Sequence, residues 1–382
     1  MTPKGFTCLG KKIGIKEDAP DFALICSAVP AAAAAVFTRS TFCGAPVTLG
    51  RELIKKGKAQ AFLITSGVSN VATGKEGLAN ARLEMETLAK ELAIEQDLVL
   101  PFATGVIGVQ LPMEKILPAI AGVKDELGPD QWEQTAEAIL TTDTRIKLVR
   151  RSVGKAVLVG MAKGAGMVQP DMATMLSFWM TDADLSHEEL QSMLKRVVDQ
   201  SFHRLSIDTD TSTSDAVAVM ANGLAGKVDP AAFEETFTEA AVEVTKQIAA
   251  DAEGATKLIE VAVTGALDAM QAQTMAKSIA GSPLVKTAFY GADANWGRVA
   301  MALGKTFDER LDPDSLWISF GEHTVYRDGE PTDFSDETVE KYLKNNDEVS
   351  LTVDLGLGNS SATVWGCDLT EGYIRINALY RT

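Results

Sequence analysis

Residues 164–180, GAGMVQPDMATMLSFWM, place one hydroxyl residue, Thr174, between a glycine-rich loop and an apolar stretch. A threonine hydroxyl is a poor nucleophile without a base, and the α-amine of a chain that begins with threonine can act as that base. Such an amine has a pKa of about 7.7–8.0. Small Ala173 leaves the hydroxyl room to attack the preceding carbonyl, and Gly164 and Gly166 permit a strained approach. These residues alone predict either self-cleavage at Ala173-Thr174 or a buried threonine at a strand start.

Other patterns that could carry chemistry are weaker. The three histidines, His187, His203 and His323, are interpreted as exposed or packed, which disfavours a Ser-His-Asp triad. GLGNSSA at 356–362 precedes a strand, whereas a dinucleotide loop needs a helix there. DTDTSTSD at 208–215 lacks the spacing and glycine of an EF-hand and favours hydrogen-bonded turns. The four cysteines include no C-x-x-C pair, so neither a zinc site nor a disulfide framework is predicted.

Three apolar segments are predicted to be buried strands that end in small polar loops. They are AQAFLITSG at 59–67, DLVLPFATG at 97–105 and KAVLVGMAKGAG at 155–166. Between the first two, a helix is predicted through about Ala93, because five apolar residues recur at helical spacing: Leu78, Ala81, Met85, Leu88 and Leu92. Loops at the ends of rigid strands commonly carry functional residues.

The second half of the chain repeats the alternation of helices and strands. Ser186 and Glu189 form a capping box, and a second helix is predicted to start at Asp229-Pro230. KLIEVAVTG at 257–265 alternates as a half-buried strand does, and residues 316–329 and 349–369 are each predicted to form a hairpin. The predicted fold class is α/β or α+β, with helices covering sheets on their outer faces.

The charge of the chain bears on its partners. A formal net charge of −16 disfavours nucleic acid and anionic lipid, since both require a basic face. No apolar run reaches the ~18 residues of a membrane span, and the N-terminus has no apolar signal region. We therefore expect a cytoplasmic protein that acts on a small molecule.

Blocks along nearly the whole chain resemble the ornithine acetyltransferase family, also called glutamate N-acetyltransferase, of arginine biosynthesis. The segment MAKGAGMVQPDMATMLSF is similar to the self-cleaving segment of that family. Further blocks occur in family order: AAAAVFTRSTFCGAPV, ATGVIGVQLPMEKI, TTDT, DTSTSD, DAEGATK, SPLVKTAFYGADANWGR and WGCDLTEGYIRINALYRT. The resemblance implies a layered helix-sheet-sheet-helix sandwich of the self-processing N-terminal-nucleophile type.

The resemblance also implies roles for individual residues. The precursor would cut itself between Ala173 and Thr174 into an α chain, 1–173, and a β chain, 174–382, which form one intertwined catalytic unit. Thr174 would be the nucleophile, and the Thr104 hydroxyl and the Gly105 N–H would form the oxyanion hole. The remaining family positions, which bind substrate, correspond to Thr141 or Thr142, Lys163, Glu253, Asn377 and Thr382, together with Thr174 itself.

The reaction that the resemblance implies is ping-pong acetyl transfer. N2-acetylornithine would acetylate Thr174 and leave as ornithine, and glutamate would then become N-acetylglutamate. No cofactor or metal is expected, acetyl-CoA remains open as a second donor, and an α2β2 heterotetramer is expected. The alternatives are a self-processing aminopeptidase or amidase, which passes the acyl group to water, and an unprocessed binding protein.

The sequence departs from the family pattern at three positions. Val68 stands in SGVSN where the family usually has an amide residue. In DTDTSTSD, Thr209 replaces the usual glycine and Ser214 the usual asparagine. None of these changes affects the nucleophile or oxyanion motifs, but they leave acceptor preference open.

Overall fold

The structure, a computed structural model, describes residues 1–169 and 175–379. They pack as two compact units. The first comprises Met1–His203 with Thr211–Val244, and the second comprises Arg204–Asp210 with residues 245–379. Each unit contains one β-sheet with helices packed against it. The predicted mixed α/β class is therefore confirmed.

The first unit includes residues from both sides of the predicted cleavage bond. The predicted chains 1–173 and 174–382 are divided at one covalent bond, whereas the two units are defined by which residues pack together. The two divisions therefore need not coincide. Ala173 and Thr174 lie outside the described residues, so the cleavage boundary stays a prediction.

The strands of both units can be given in chain order. Over the described residues they are β1 Phe6–Lys11, β2 Phe22–Phe37, β3 Lys58–Val68, β4 Val99–Val106, β5 Lys147–Val153, β6 Ala156–Lys163, β7 Leu176–Asp184, β8 Leu205–Ser206, β9 Ala216–Lys227, β10 Leu258–Ala266, β11 Trp317–Phe320, β12 His323–Arg327, β13 Glu330–Pro331, β14 Glu348–Asp354 and β15 Ser360–Cys367.

The first sheet has the order β4-β3-β2-β9-β7-β6-β5, with β1 also paired to β2. The pairs β3–β4 and β7–β9 are parallel, whereas β6 pairs antiparallel with β7. The carboxyl ends of β3 and β4 therefore lie at one edge of the sheet. All three predicted strand segments are strands of this sheet.

The second sheet has the order β13-β12-β11-β14-β10-β15-β8. The predicted hairpin at 316–329 is confirmed by the antiparallel pair β11–β12. The predicted hairpin at 349–369 is wrong: β14 and β15 are both strands, but β10 lies between them and pairs with each. Alternation within a strand identifies its buried face and carries no information about which strand is its neighbour.

Helices cover both sheets. In chain order they are α1 Ala45–Leu53, α2 Gly74–Leu92, α3 Met113–Ile120, α4 Val123–Glu126, α5 Trp132–Ala138, α6 His187–Gln200, α7 Pro230–Ala250, α8 Ala269–Ala280, α9 Pro283–Tyr290, α10 Trp296–Gly304, α11 Asp336–Asn345 and α12 Glu371–Leu379. The capping box is confirmed, because the Ser186 side chain accepts from the Glu189 N–H and the Glu189 side chain accepts from the Ser186 N–H. Pro230 begins α7, as predicted.

Helix α2 buries the predicted apolar stripe and one carboxyl group with it. Ala81, Met85 and Leu88 are buried, while Leu78 and Leu92 pack partly buried against the same core. Glu84 lies on this face with 1% of its surface exposed, and its Oε2 has no hydrogen-bond partner. Burial raises the pKa of Glu84 to about 8, because removal from water disfavours the ionised form.

We predict that Glu84→Gln changes how stability depends on pH. Between the ordinary carboxyl pKa and about 8, the folded wild type holds a proton that the unfolded chain has lost, so its stability falls as pH rises through this window. The Gln variant lacks this titration. Its free energy of unfolding should therefore rise relative to that of the wild type by a few kcal/mol between pH 5 and pH 8. Urea unfolding at both pH values measures the difference. Glu86→Gln is the control, because Glu86 is half-exposed and pairs with Lys90 on the same helix; equal pH dependence of wild type and Glu84→Gln would contradict the prediction.

Candidate functional site

The predicted oxyanion residues lie where two parallel strands of the first unit end. Thr104 and Gly105 are near the end of β4, and Gly105 is registered opposite Gly67 of β3. Gly105 has φ +128°, and a Cβ there would come within 2.3 Å of the Gly67 carbonyl carbon. Only glycine fits this close approach, so the backbone beside Thr104 is fixed by the neighbouring strand.

Lys163, the last residue of β6, reaches Thr104. Its Nζ donates to Thr104 Oγ1 at 3.4 Å, and both residues are buried. An ammonium group only donates hydrogen bonds, so the threonine oxygen accepts here and its own proton remains available for another acceptor. The structure thus brings together a predicted oxyanion donor and a predicted substrate-binding residue.

Asp143, which the sequence analysis did not single out, holds two loops of this unit. Its buried carboxylate accepts from Lys147 Nζ at 2.6 Å, from the Gly164 N–H at 2.6 Å and from the Thr141 N–H at 3.1 Å. Burial raises the pKa of Asp143, but the charges of Lys147 and Lys163 and these hydrogen bonds outweigh it and hold the pKa below its usual value. The loop that carries Thr141 is therefore tied to the residue that follows Lys163.

The sequence did contain a signal for this network. TTDT includes one acid among three threonines, and a lysine follows that acid four residues later. An acid and a lysine four residues apart are equally typical of an exposed ion pair, so only the structure shows that Asp143 and Lys147 are buried. Thr142 lies in the same loop and is partly exposed.

In the second unit, Glu253 and Asn377 contact each other. Asn377, on α12, donates from Nδ2 to Glu253 Oε2 at 2.7 Å. Glu253 lies between α7 and β10 with 7% of its surface exposed. Two residues predicted from separate sequence blocks to bind substrate thus form one carboxylate-amide pair, in which the amide orients the carboxylate.

The segment that carries Glu253 approaches the start of α12 closely at two glycines. Gly254 has φ +69°, and a Cβ on it would lie 2.4 Å from the Gly372 carbonyl carbon. Thr370 Oγ1 donates to the Gly254 carbonyl at 2.6 Å, and buried Asp368 accepts from the N–H groups of Thr256 and Lys257. These contacts, which sequence reasoning missed, hold the Glu253 loop against the segment that leads into α12.

The three departures from the family pattern have structural consequences. Thr209 has φ +67°, a left-handed conformation that suits the usual glycine and costs a β-branched residue roughly 1–2 kcal/mol. Ser214 is buried, and its hydroxyl has no hydrogen-bond partner where an asparagine would reach further. Val68 is buried at the end of β3, registered opposite Thr104 and Val106.

The predicted site residues are thus distributed as follows. Thr104, Gly105, Thr141, Thr142 and Lys163 belong to the first unit, and Glu253 and Asn377 to the second. Ala173, Thr174 and Thr382 lie outside the described residues. Within residues 1–169 and 175–379, no group of three histidine, cysteine or acidic side chains is placed to hold a metal ion. In the same part of the chain, no helix has the length and apolar character to cross a membrane.

Comparisons with known proteins identify relatives that match along nearly the whole sequence. A family model described as the ArgJ family matches residues 7–382. The chain is 46% identical over 380 residues to arginine biosynthesis bifunctional protein ArgJ 2 of Clostridium acetobutylicum, covering 100% of this chain and 98% of that protein. It is 47% identical over 387 residues to glutamate N-acetyltransferase Oat2 of Streptomyces clavuligerus, with coverage of 100% and 98%. A crystal structure of ArgJ from Bacillus halodurans matches with a TM-score of 0.52 and 47% identity, covering 54% of this chain and 100% of that one.

We predict that Asp143→Asn destabilises the protein by about 3–5 kcal/mol, because it removes the charge of one partner from a buried ion pair. Urea unfolding near neutral pH measures the loss. Adding Lys147→Met should recover part of the stability. The control is Glu133→Gln, which breaks the exposed pair with Arg150 and should cost less than about 1 kcal/mol. Equal, small losses in both single variants would contradict the role given to Asp143.

Proposed function

The chain belongs to the ArgJ family, and on that basis we propose that it transfers acetyl groups through Thr174, the residue freed when the precursor cuts itself after Ala173. It is an enzyme, a glutamate N-acetyltransferase of arginine biosynthesis. The proposed donor is N2-acetylornithine and the proposed acceptor is glutamate. The observation that carries the proposal is the contact of Lys163 with Thr104, which leaves the threonine proton free for an oxyanion.

The proposed first half-reaction acetylates the enzyme. The Thr174 hydroxyl attacks the acetyl carbonyl of N2-acetylornithine while its proton passes to the α-amine of the same residue. The negative charge that develops on the carbonyl oxygen is stabilised by the Thr104 hydroxyl and the Gly105 N–H. The C–N bond then breaks, the leaving amine takes the proton, and ornithine departs.

The second half-reaction reverses these steps with another amine. The amine of glutamate attacks the acetyl-Thr174 ester, the C–O bond breaks, and the hydroxyl regains its proton. Lys163 supplies positive charge suited to a substrate carboxylate, and Glu253 supplies negative charge suited to a substrate ammonium. The Asn377 amide supports the Glu253 carboxylate in this role. Thr141 or Thr142, and Thr382, complete the proposed substrate contacts.

Strand pairing supports the proposal that the cut chains remain together. Lys163, which ends β6, is registered directly opposite Leu176, which begins β7. The strands on either side of the 173–174 bond are therefore hydrogen-bonded neighbours, and their ladder does not depend on that bond. An α2β2 assembly in the cytoplasm is part of the proposal, and light scattering of the purified protein tests the assembly.

We predict that the wild type consists of two chains, 1–173 and 174–382, and that Thr174→Ala stays a single inactive chain, because it lacks the hydroxyl that attacks the preceding carbonyl. Intact-mass analysis under denaturing conditions measures the chains. Thr236→Ala is the control, because its hydroxyl donates only to the Ala232 carbonyl within α7. A full-length wild type that transfers acetyl groups at a normal rate would contradict the α-amine as base.

The product assay decides between transferase and hydrolase. Wild type receives N2-acetylornithine with saturating glutamate, or acetyl-CoA with glutamate, and both N-acetylglutamate and free acetate are measured. The proposal requires N-acetylglutamate as the main product from the first pair, and the second pair tests acetyl-CoA as a donor. Mainly acetate would favour the aminopeptidase or amidase alternative.

We predict that Thr104→Ala lowers kcat by about 10²–10³-fold with little change in KM, because the donor acts mainly on charge that develops in the transition state. Thr104→Ser keeps the hydroxyl and should retain most of the activity. Steady-state kinetics with N2-acetylornithine and glutamate measure both constants. Unchanged turnover in the alanine variant would remove Thr104 from the mechanism.

A further inference from the structure

Lys16 is a half-buried cation of the first unit that the mechanism above does not use. It lies in the loop between β1 and β2, and Asp21 fixes the shape of that loop. The buried Asp21 carboxylate accepts from the Ile13 N–H at 2.7 Å and from the Lys16 N–H at 2.8 Å. The Asp21 carbonyl accepts from the Ser66 N–H at 2.9 Å. The backbone of Lys16 is therefore held against the last part of β3.

The stem of the Lys16 side chain crosses β3 at the point where this strand faces the predicted oxyanion residues. Gly67 of β3 has φ +107°, and a Cβ on it would lie 3.0 Å from Lys16 Cγ. Gly67 is also the residue registered opposite Gly105. A side chain at Gly67 would crowd the lysine stem, so glycine is needed here for a second reason besides its backbone conformation.

The ammonium of Lys16 reaches the loop that carries the predicted substrate-binding threonines at 141–142. Its Nζ donates at 2.8 Å to the carbonyl of Leu140, which directly precedes them. The same loop is tied through Asp143 to the residue that follows Lys163. Two lysines from distant parts of the sequence thus contact the ends of the neighbouring strands β3 and β4.

The contacts of the Lys16 ammonium leave donors for an anion. An ammonium group carries three N–H groups, and the Leu140 carbonyl accepts from one of them. Among the described residues, no carboxylate forms an ion pair with Lys16, whereas Lys147 has Asp143 at 2.6 Å. Burial lowers the pKa of Lys16, because the charged form has lost part of its hydration. A bound anion would replace that hydration.

The proposed acceptor needs a positive charge that the proposed donor does not need. N2-acetylornithine carries one carboxylate and one side-chain ammonium, which suit Lys163 and Glu253 respectively. Glutamate carries two carboxylates, and Lys163 supplies positive charge for one of them. If the second carboxylate lay where the donor has its ammonium, it would meet the like charge of Glu253. The second carboxylate therefore requires another cation.

We propose that Lys16 binds the second carboxylate of glutamate in the second half-reaction, and that it thereby selects a dicarboxylic amino acid as acceptor. The inference rests on the proposed function, since it requires glutamate to attack an acetyl-enzyme. Lys16 recognises the acceptor through a charge-assisted hydrogen bond and has no partner on N2-acetylornithine, which lacks a second carboxylate. It determines specificity and takes no part in proton transfer.

Ping-pong kinetics separate the two half-reactions, because kcat/KM for the donor and kcat/KM for the acceptor report different steps. Lys16→Met removes the charge and keeps most of the stem. It should lower kcat/KM for glutamate by about 10–100-fold, the size expected for a hydrogen bond to a charged group. The value for N2-acetylornithine should stay the same. Lys16→Arg keeps the charge and should recover most of the rate with glutamate.

Glutamine is the matched acceptor, because an amide replaces its second carboxylate. Wild type should use glutamate in preference to glutamine, and Lys16→Met should lose this preference. The control variant is Lys115→Met, because the exposed Lys115 also donates to a carbonyl of the β1–β2 loop, that of Gly14. It removes an ammonium from the loop surface and should leave both values of kcat/KM unchanged.

The outcomes distinguish recognition of the acceptor from a merely structural role. Equal losses with donor and acceptor in Lys16→Met would mean that Lys16 only positions the 141–142 loop, and they would overturn the proposal. Unchanged kcat/KM for glutamate would overturn it as well. If Lys16→Met does not fold, Lys16→Gln replaces it, because the amide can donate to the Leu140 carbonyl without a charge; the same selective loss is expected, and its absence overturns the proposal.

Failure of the proposed function has a different result. If wild type makes no N-acetylglutamate from N2-acetylornithine and glutamate, the proposed function fails and the inference fails with it. If wild type makes N-acetylglutamate and loss of the Lys16 charge does not affect the acceptor selectively, the inference alone fails.

Discussion

The carboxylate of Asp143 constrains the first unit more than any other single group described above. It is buried together with the ammonium of Lys147, and a buried charge is tolerated only when its hydrogen-bonding positions are filled. The remaining partners are the backbone N–H groups of Gly164 and Thr141. One acid therefore ties together two loops, and the second of them begins directly after Lys163, the residue that donates to Thr104.

The second unit fixes its own acid by a different means. Glu253 is held through close packing of backbone, since Gly254 and Gly372 leave no room for a side chain between them. Asp368 and Thr370 then satisfy the peptide groups on either side. A site built on a close backbone approach tolerates little change at its glycines, whereas one built on a charge pair tolerates little change in charge.

The sequence predicted well which segments form helices and strands, but it predicted poorly which strands pair with each other. Helix α2, the capping box and strand β10 followed from periodicity and end signals, which are local properties. The supposed hairpin at 349–369 failed because β10, distant in sequence, inserts between its strands. Glu84 was missed because its neighbours Ala81, Met85 and Leu88 determine the buried face, and a polar residue on that face does not alter the period. The partners of Asp143 and Asp368 are long-range contacts, which no spacing rule encodes.

The strand order of the first sheet limits how the polypeptide can be made. Strands β2 and β6 precede residue 173, and β7 and β9, which follow residue 174, lie between them. Two halves synthesised separately would each expose unpaired strand edges, which are templates for aggregation. A cut at 173–174 is therefore harmless only to a polypeptide that has already folded as one chain, so a gene divided at that codon should give insoluble fragments even if the folded protein tolerates the same break.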